Sequence, residues 1–519
     1  MTAGASLGAL TLQAARHFAD RVCLRYGDRS WTFAEFSAQA RSIAAGLAHR
    51  LEPGSRVGLF MANRPEYLLL QLAIELAGLV RVPLNMRFTA HEVATIVEDC
   101  DARAVFFDGS TRDRASALAA RLTRIWWCRV DGDEALGGDP WHRAAQADGA
   151  PRDGVALDAL CSINYTSGTS GRPKGVMLTH RNWLSVCRNM LADRDMRHDD
   201  VVAHIGPLTH ASGTYFVPWF LRGACNVIVE GAAIEGLLET IGRERVSVFT
   251  CVPTALTRIV NHPDLERHDL SSLRAIGYGA EPIPYNTLEK ALERFGPVLT
   301  QNYGLTEAMM TVATLRPAEH FVSDAATGRR VPRVGSIGRP YTFVEVVLRD
   351  GNGERVPEGE VGEITIRSDH VMQGYWNRPE ETAKVLRDGW LWTGDLARCD
   401  EQGFITLAGR SKDMLICGGF NIYPAEVEAV LTSHPRVLEA AVVGTPDPDW
   451  GEIAVAFVTA LPGTALSAEE LRSHCKPVLG MKTPRAFRLV DALPKNANGK
   501  VDKPKLNAAA ARMEECGDV

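Results

Sequence analysis

The chain has 519 residues, too long for one hydrophobic core, so at least two domains are expected. Apolar residues make up 45% and charged residues 23%, with a net charge of −6 and no Lys/Arg block, which points away from nucleic acid and anionic membrane surfaces. The eleven cysteines are scattered without a C-x-x-C pair, which fits free thiols in a reducing cytoplasm and argues against a zinc site or disulfide framework.

The N-terminus lacks a basic segment followed by an apolar core, so no secretory signal is expected. Helix spacing places Leu10, Ala14, Ala15 and Phe18 on one face. Residues 29–33 read as a strand, and Thr32 caps a helix over 34–49. Residues 54–61 and 80–83 read as strands on either side of an apolar stretch. That stretch, 67–80, is broken by Gln71 and Glu75 and is too short to span a bilayer, so it reads as a buried helix. Strands alternating with helices argue for a mostly parallel sheet covered on both faces.

A strand over 159–163 leads into residues 165–176, YTSGTSGRPKGV. Glycines let backbone N–H groups approach an anion, hydroxyls add donors, and Lys174 adds a point charge. The stretch reads as a polyphosphate clamp. It is not G-x-x-x-x-G-K-[ST], because Pro173 stands at the second glycine and Gly175 follows Lys174. Further strands are read over 246–252 and 273–282. Residues 317–360 read largely as loop, and short strands over 343–407 form a β-rich subdomain. From Ser411 onward the character changes. A glycine turn at 418–419 precedes a helix with Pro424 at its start, and strands follow at 440–443 and 453–458. Ser467 and Glu470 form a capping-box signature for a helix over 467–475.

The ordered string at 165–176, Y-G-x-T-E at 303–307, W-x-x-T-G-D ending at Asp395, G-R at 409–410 and P-K-x-x-x-G-K ending at Lys500 resemble, in order, the motifs of the adenylate-forming superfamily. That superfamily holds acyl- and aryl-CoA ligases, carrier-protein adenylation domains and beetle luciferases. The resemblance implies an α/β fold: a large N-terminal adenylation domain, 1–410, of parallel-sheet αβ layers plus the β-rich subdomain, and a small mobile α+β C-terminal domain, 411–519. Lys412 is the implied hinge.

It also implies the site. Thr166, Ser167, Gly168, Thr169, Ser170, Gly171 and Lys174 hold phosphates. Gly279, Ala280 and Glu281 present a turn to adenine, and Asn302, Tyr303 and Gly304 complete the nucleotide contacts, with the Tyr303 ring against adenine. Thr306 offers a hydroxyl to phosphate, and Glu307 is a hard oxygen ligand for Mg²⁺. Asp395 accepts from the ribose hydroxyls and Arg410 reaches the ribose and α-phosphate. His210 gates the carboxylate. Lys500 offsets the charge that develops when a carboxylate attacks phosphate. Gly418, Gly419 and Trp450 flank the thiol path, with packing an equal reading for Trp450. Met481 departs from the aromatic often found there.

The implied activity is that of an ATP-dependent carboxylic acid:CoA ligase, with ATP, Mg²⁺ and coenzyme A. An acyl-AMP ligase loading a carrier-protein thiol is the alternative, and a non-catalytic regulator on a ligase fold is the reading from another class. The presence of Lys174, Glu307, Asp395, Arg410 and Lys500 argues against decay. An acid pocket of His210, Ser212, Gly213, Val252, Tyr278, Gly279, Met309 and Met310 is small at its entrance and flexible at its Met residues. It suits a medium-chain, alicyclic or aromatic acid. It contains no Arg or Lys, which disfavours a dicarboxylic acid such as malonate. The implied location is cytoplasmic, without membrane insertion, and a homodimer is compatible with the family.

Overall fold

The computed structural model describes residues 6–132, 135–136, 154–166, 173–231, 233–323, 328, 330–417, 419–447, 449–495 and 501–514. Three apolar runs near the start become the parallel strands β1 (Arg56–Phe60), β2 (Val80–Pro83) and β3 (Ala102–Phe107), with β1 between the other two. Between β1 and β2 runs α1 (Pro65–Leu76), which buries every residue except Glu66. A helix apolar almost all round has to be covered on all sides. Its buried face also carries Tyr67, Gln71 and Glu75, one turn apart, beside the buried Arg81 of β2.

This first sheet continues through β4 (Leu160–Thr166), parallel to β2, and β5 (Lys174–Thr179), antiparallel to β4. Thr179 caps α2 (His180–Asp193) in a full capping box with Asn182, so the helix starts two residues before Asn182. In the second sheet β6 (Val201–His204), β7 (Val248–Cys251), β8 (Ala275–Gly279) and β9 (Leu299–Leu305) are parallel neighbours. The chain passes through α3 (Ala211–Arg222) after β6 and α4 (Pro253–Val260) after β7. Strand β9 then turns back into β10 (Ala308–Leu315).

The β-rich stretch does not stand apart. Strand Ser336–Pro340 pairs with β10. Strands β11 (Trp390–Cys399) and β12 (Ile405–Arg410) carry the ladder outward, so the stretch extends the same 14-stranded sheet. This also corrects the loop reading of 317–360, which contains Ser336–Pro340 and Glu345–Arg349.

A separate five-stranded sheet follows: β13 (Leu415–Cys417), β14 (Phe420–Ile422), β15 (Val437–Asp447), β16 (Gly451–Ala460) and β17 (Ala486–Leu489). Its helices pack over it with their own apolar core. The architecture is therefore α/β, with two large mixed sheets that are parallel at their centres and antiparallel toward their edges, and a small α+β sheet after residue 411.

Local signals hold in detail. Thr32 caps Phe33–Arg50 in a complete capping box with Glu35. At the helix Ala468–Leu479, Ser467 accepts from the Glu470 N–H, but the reciprocal bond is missing. The Glu470 carboxylate is drawn instead to Arg436 and His434. The described cysteines are all free, and all but Cys399 are buried. No helix among the described residues is long and apolar enough to cross a membrane.

Candidate active site

Two clusters of polar side chains form where the sheets and hairpins meet. The first begins at the phosphate stretch. Strands β4 and β5 form an antiparallel hairpin in which Thr166 and Lys174 face each other across the open end. Ser167, Gly168, Thr169, Ser170 and Gly171 lie outside the described residues, as do Gly418 and Lys500. Lys174 Nζ donates to Glu381 Oε2 at 2.6 Å and sits 5.2 Å from the centre of the Tyr375 ring. Glu381 belongs to α5 (Pro379–Val385), whose Lys384 holds the other carboxylate oxygen at 2.8 Å. Hydrogen bonding from Lys174, then from Lys384, draws the Glu381 carboxyl down to about 2.

Tyr375 links this ion pair to the next hairpin. It sits on strand Gly374–Tyr375, paired with β5, and its hydroxyl donates to Glu307 Oε1 at 2.8 Å. Burial, followed by the neighbouring Glu307, pushes the Tyr375 phenol well above its ordinary value, so it stays a donor. Thr306 and Glu307 form the tight turn between β9 and β10, with Leu305 opposite Ala308. That turn is held tightly. A Cβ on Gly304 would lie 2.4 Å from the Met310 nitrogen, and Met310 itself takes φ +54°, in the left-handed region. The Met372 N–H donates to the Glu307 carbonyl at 2.8 Å. The described residues contain no cluster of three or more His, Cys, Asp or Glu groups fit for a metal. A single carboxylate such as Glu307 does fit Mg²⁺, which takes one or two protein oxygens and completes its shell from phosphates and water.

The second cluster lies where the end of β12 meets the middle of β11, with Asp395 and Arg410 as direct partners. Asp395 is buried. Its Oδ2 accepts from the Tyr303 hydroxyl at 2.6 Å and its Oδ1 from Arg410 Nε at 3.0 Å. Burial, with the Asp395 charge adding to it, holds Tyr303 well above the ordinary phenol range. Each carboxylate oxygen keeps a second lone pair, so Asp395 retains capacity for a pair of ligand hydroxyls.

Several sequence expectations need correction. Tyr278 does not line the cleft. On β8 its side chain alternates to the helix-covered face, is buried there, and meets His320 Nε2 at 3.1 Å. The Asn302 side chain is turned to Arg194 and Tyr341 and is not free for a nucleotide. Gly213 is small because α3 packs closely, not to leave room: a Cβ there would lie 2.0 Å from the Leu208 carbonyl oxygen. Glu281 accepts from the Thr254 N–H at 3.0 Å, which fastens the turn after β8 to the start of α4. Met309 is buried in the main core, and Met310 is half-buried against it.

The remaining candidates sit as follows. His210 is exposed at the N-cap of α3, and Ser212 is buried in its first turn. Val252 is exposed at the N-cap of α4. Gly279 ends β8, and Ala280 follows with φ +72°. Lys412 is exposed in the turn Ser411–Asp413 directly after β12. Gly419 turns β13 into β14. Trp450 is stacked under Arg485 at 4.2 Å and packs against the core of the small sheet. Tyr375 and Glu381 were not anticipated. Both lie in GYWNRPEET, residues 374–382, where an aromatic pair runs into a Pro-initiated acidic helix start.

Two large mixed sheets with parallel centres and a separate small α+β sheet make up the fold. Residues 11–376 match the model of the AMP-binding enzyme family and residues 426–500 that of the AMP-binding enzyme C-terminal domain, and the chain belongs to this family. It is 38% identical over 504 residues to a feruloyl-CoA synthase of an Amycolatopsis species, covering 96% of this chain and 97% of that protein. It is 33% identical over 503 residues to a 2-succinylbenzoate–CoA ligase of Bacillus velezensis, covering 96% of each. Among solved structures, it is similar to the anthranilate CoA ligase AuaEII in complex with anthranoyl-AMP (TM-score 0.89, 28% identity, 98% of both chains). It is also similar to the amide bond synthetase McbA of Marinactinospora thermotolerans (TM-score 0.87, 32% identity, 96% of this chain and 100% of that one).

Proposed function

We propose that the protein activates a carboxylic acid with ATP, passing through an acyl-adenylate, and transfers the acyl group to coenzyme A as a thioester. The observation that carries this reading is the pairing of two ready-made contacts on one family fold. Asp395, fixed by Tyr303 and Arg410, suits a ribose diol, and Lys174, fixed near Tyr375 and Glu307, suits a phosphate chain.

In this reading the hairpin loop at 167–172 wraps the phosphates, and Lys174 leaves Glu381 to meet them. Mg²⁺ held by Glu307 would supply positive charge to the phosphate oxygens. Thr306 in the same turn donates to phosphate. Asp395 and Arg410 fix the ribose, while Gly279 and Ala280 border adenine. The acid enters beside His210 and Ser212. Lys500 offsets the charge as the carboxylate oxygen bonds to the α-phosphorus and pyrophosphate leaves. A CoA thiolate then attacks the acyl carbon and AMP leaves. The second step needs the small domain, 411–519, turned about Lys412 so that Gly418, Gly419 and Trp450 border the thiol path. The acid is medium-chain, alicyclic or aromatic.

The test is AMP release from ATP across apolar, aromatic and dicarboxylic acids, with and without CoA. AMP formed only with CoA and one acid class is the expected result. ATP binding with no AMP from any acid would sink the reading in favour of a regulator. Pyrophosphate exchange without CoA-dependent turnover would replace CoA with another acceptor.

A further inference from the structure

The position of one guanidinium bears on which acid is used. Arg194 caps the C-terminus of α2, and its side chain runs inward between α3, β9 and the segment after Ser336–Pro340. Its Nε and Nη2 donate to the Tyr341 hydroxyl at 3.0 and 2.8 Å, and Nη2 also donates to Asn302 Oδ1. Its carbon Cζ lies 5.3 Å from the centre of the Tyr215 ring. Tyr341, Asn302 and Tyr215 are all buried, and all are neutral.

No carboxylate among the described residues pairs with Arg194; its partners are the Tyr341 and Tyr215 hydroxyls and the Asn302 amide oxygen. The two neighbouring carboxylates are engaged elsewhere: Asp193 with Arg316 and Thr342, Asp195 with Arg197 and Arg274. A guanidinium cannot shed its proton, and a charge among buried groups is ordinarily paired. Here the guanidinium is hydrogen-bonded, but no carboxylate among the described residues balances its charge.

The location gives the missing partner a direction. Asn302 precedes Tyr303 on β9, and Tyr215 lies three residues beyond Ser212 on the same face of α3, about 4.5 Å of helix rise further in. The cluster therefore lies behind the point where the acid is placed in the ligase reading, on which this argument rests. We propose that Arg194 is a specificity residue that receives a second, distal anionic oxygen of the acid, so that the substrate is an extended diacid or an aromatic acid with a carboxylate at its far end. The sequence argument against a diacid rested on a pocket without a cation, and Arg194 removes that premise for long diacids. A diacid as short as malonate does not span the turn of helix between Ser212 and Tyr215.

The test compares matched pairs of acids: suberate against octanoate, and 4-carboxycinnamate against 4-methylcinnamate. Wild-type kcat/KM for AMP release should favour the diacid of at least one pair by roughly tenfold to a hundredfold, the size of one charge-assisted hydrogen bond. Arg194→Met should abolish or invert that ratio while leaving the KM for ATP within about twofold, a split that general loss of structure does not give. Arg194→Lys keeps the charge without the planar fork and should retain a weaker preference, which covers the case in which R194M does not fold. Calorimetric binding of the four acids to the wild-type protein decides the question without turnover. Tighter binding of a diacid with no AMP formed would support the subsite while failing the ligase reading. A wild-type preference for the neutral acid in both pairs, or a ratio unchanged in R194M, overturns the proposal.

Discussion

The Asp395 corner and the Lys174 hairpin, read above as the ribose and phosphate sites, hold charge in opposite ways. At the corner, Asp395 is buried and both its oxygens are already engaged, by Tyr303 and by Arg410. At the hairpin, Lys174 is held by Glu381, a carboxylate on the exposed side of α5 that is shared with Lys384. The corner needs no rearrangement to receive a diol. At the hairpin, an internal anion must be exchanged for the incoming one. A fixed site contributes affinity with little ordering cost, whereas an exchange site keeps binding reversible and sensitive to salt.

The widest separation between the two regions should come from Asp395→Ala. It removes both ligand contacts and strands Tyr303 and Arg410, so kcat/KM for ATP should fall by about 10²-fold or more, from roughly 3 kcal/mol of lost charge-assisted bonding. A loss under about threefold in steady-state assays would mean that the corner does not carry the ribose. Glu381→Gln should act with the opposite sign. With no internal anion to displace, the KM for ATP should drop severalfold at low ionic strength, and the gain should shrink as salt is added. If E381Q instead raises KM at every salt concentration, Glu381 is positioning Lys174 and not competing for it.

The smallest effect concerns stability away from both clusters. Burial raises the Glu75 carboxyl to about 7, with Arg81 opposing the shift. A carboxyl raised on folding favours the native state below its unfolded value of about 4.5 and loses that contribution as pH rises toward 7. Glu75→Gln should therefore flatten the pH dependence of Tm between these values and raise Tm at pH 8. An unchanged slope would show that Arg81 compensates the charge fully.

Much of the fold was legible because its signals are local. The strands at 56–60 and 80–83, the caps at Thr32 and Ser467 and the turn at Gly419 each depend on a few adjacent residues. Tyr303, Asp395 and Arg410 were legible through an ordered motif, and the structure brings them into contact. What escaped depends on tertiary approach. Glu381 meets Lys174 from 207 residues away, and Arg194 meets Asn302 from 108. Tyr278 was misplaced because glycines on either side of it hide which face of β8 it takes. Gly213 was misread because the closeness of a backbone carbonyl leaves no mark in composition.

The hairpin at the phosphate loop has one more consequence. Where a phosphate loop opens a helix, the aligned peptide dipoles add standing attraction for an anion. Here the loop joins β4 to β5, antiparallel strands whose dipoles largely cancel. In the proposed reading, a phosphate chain bound there gains no standing attraction from this strand pair. In the proposed reaction that favours turnover, because the pyrophosphate released by the first step has no macrodipole to escape.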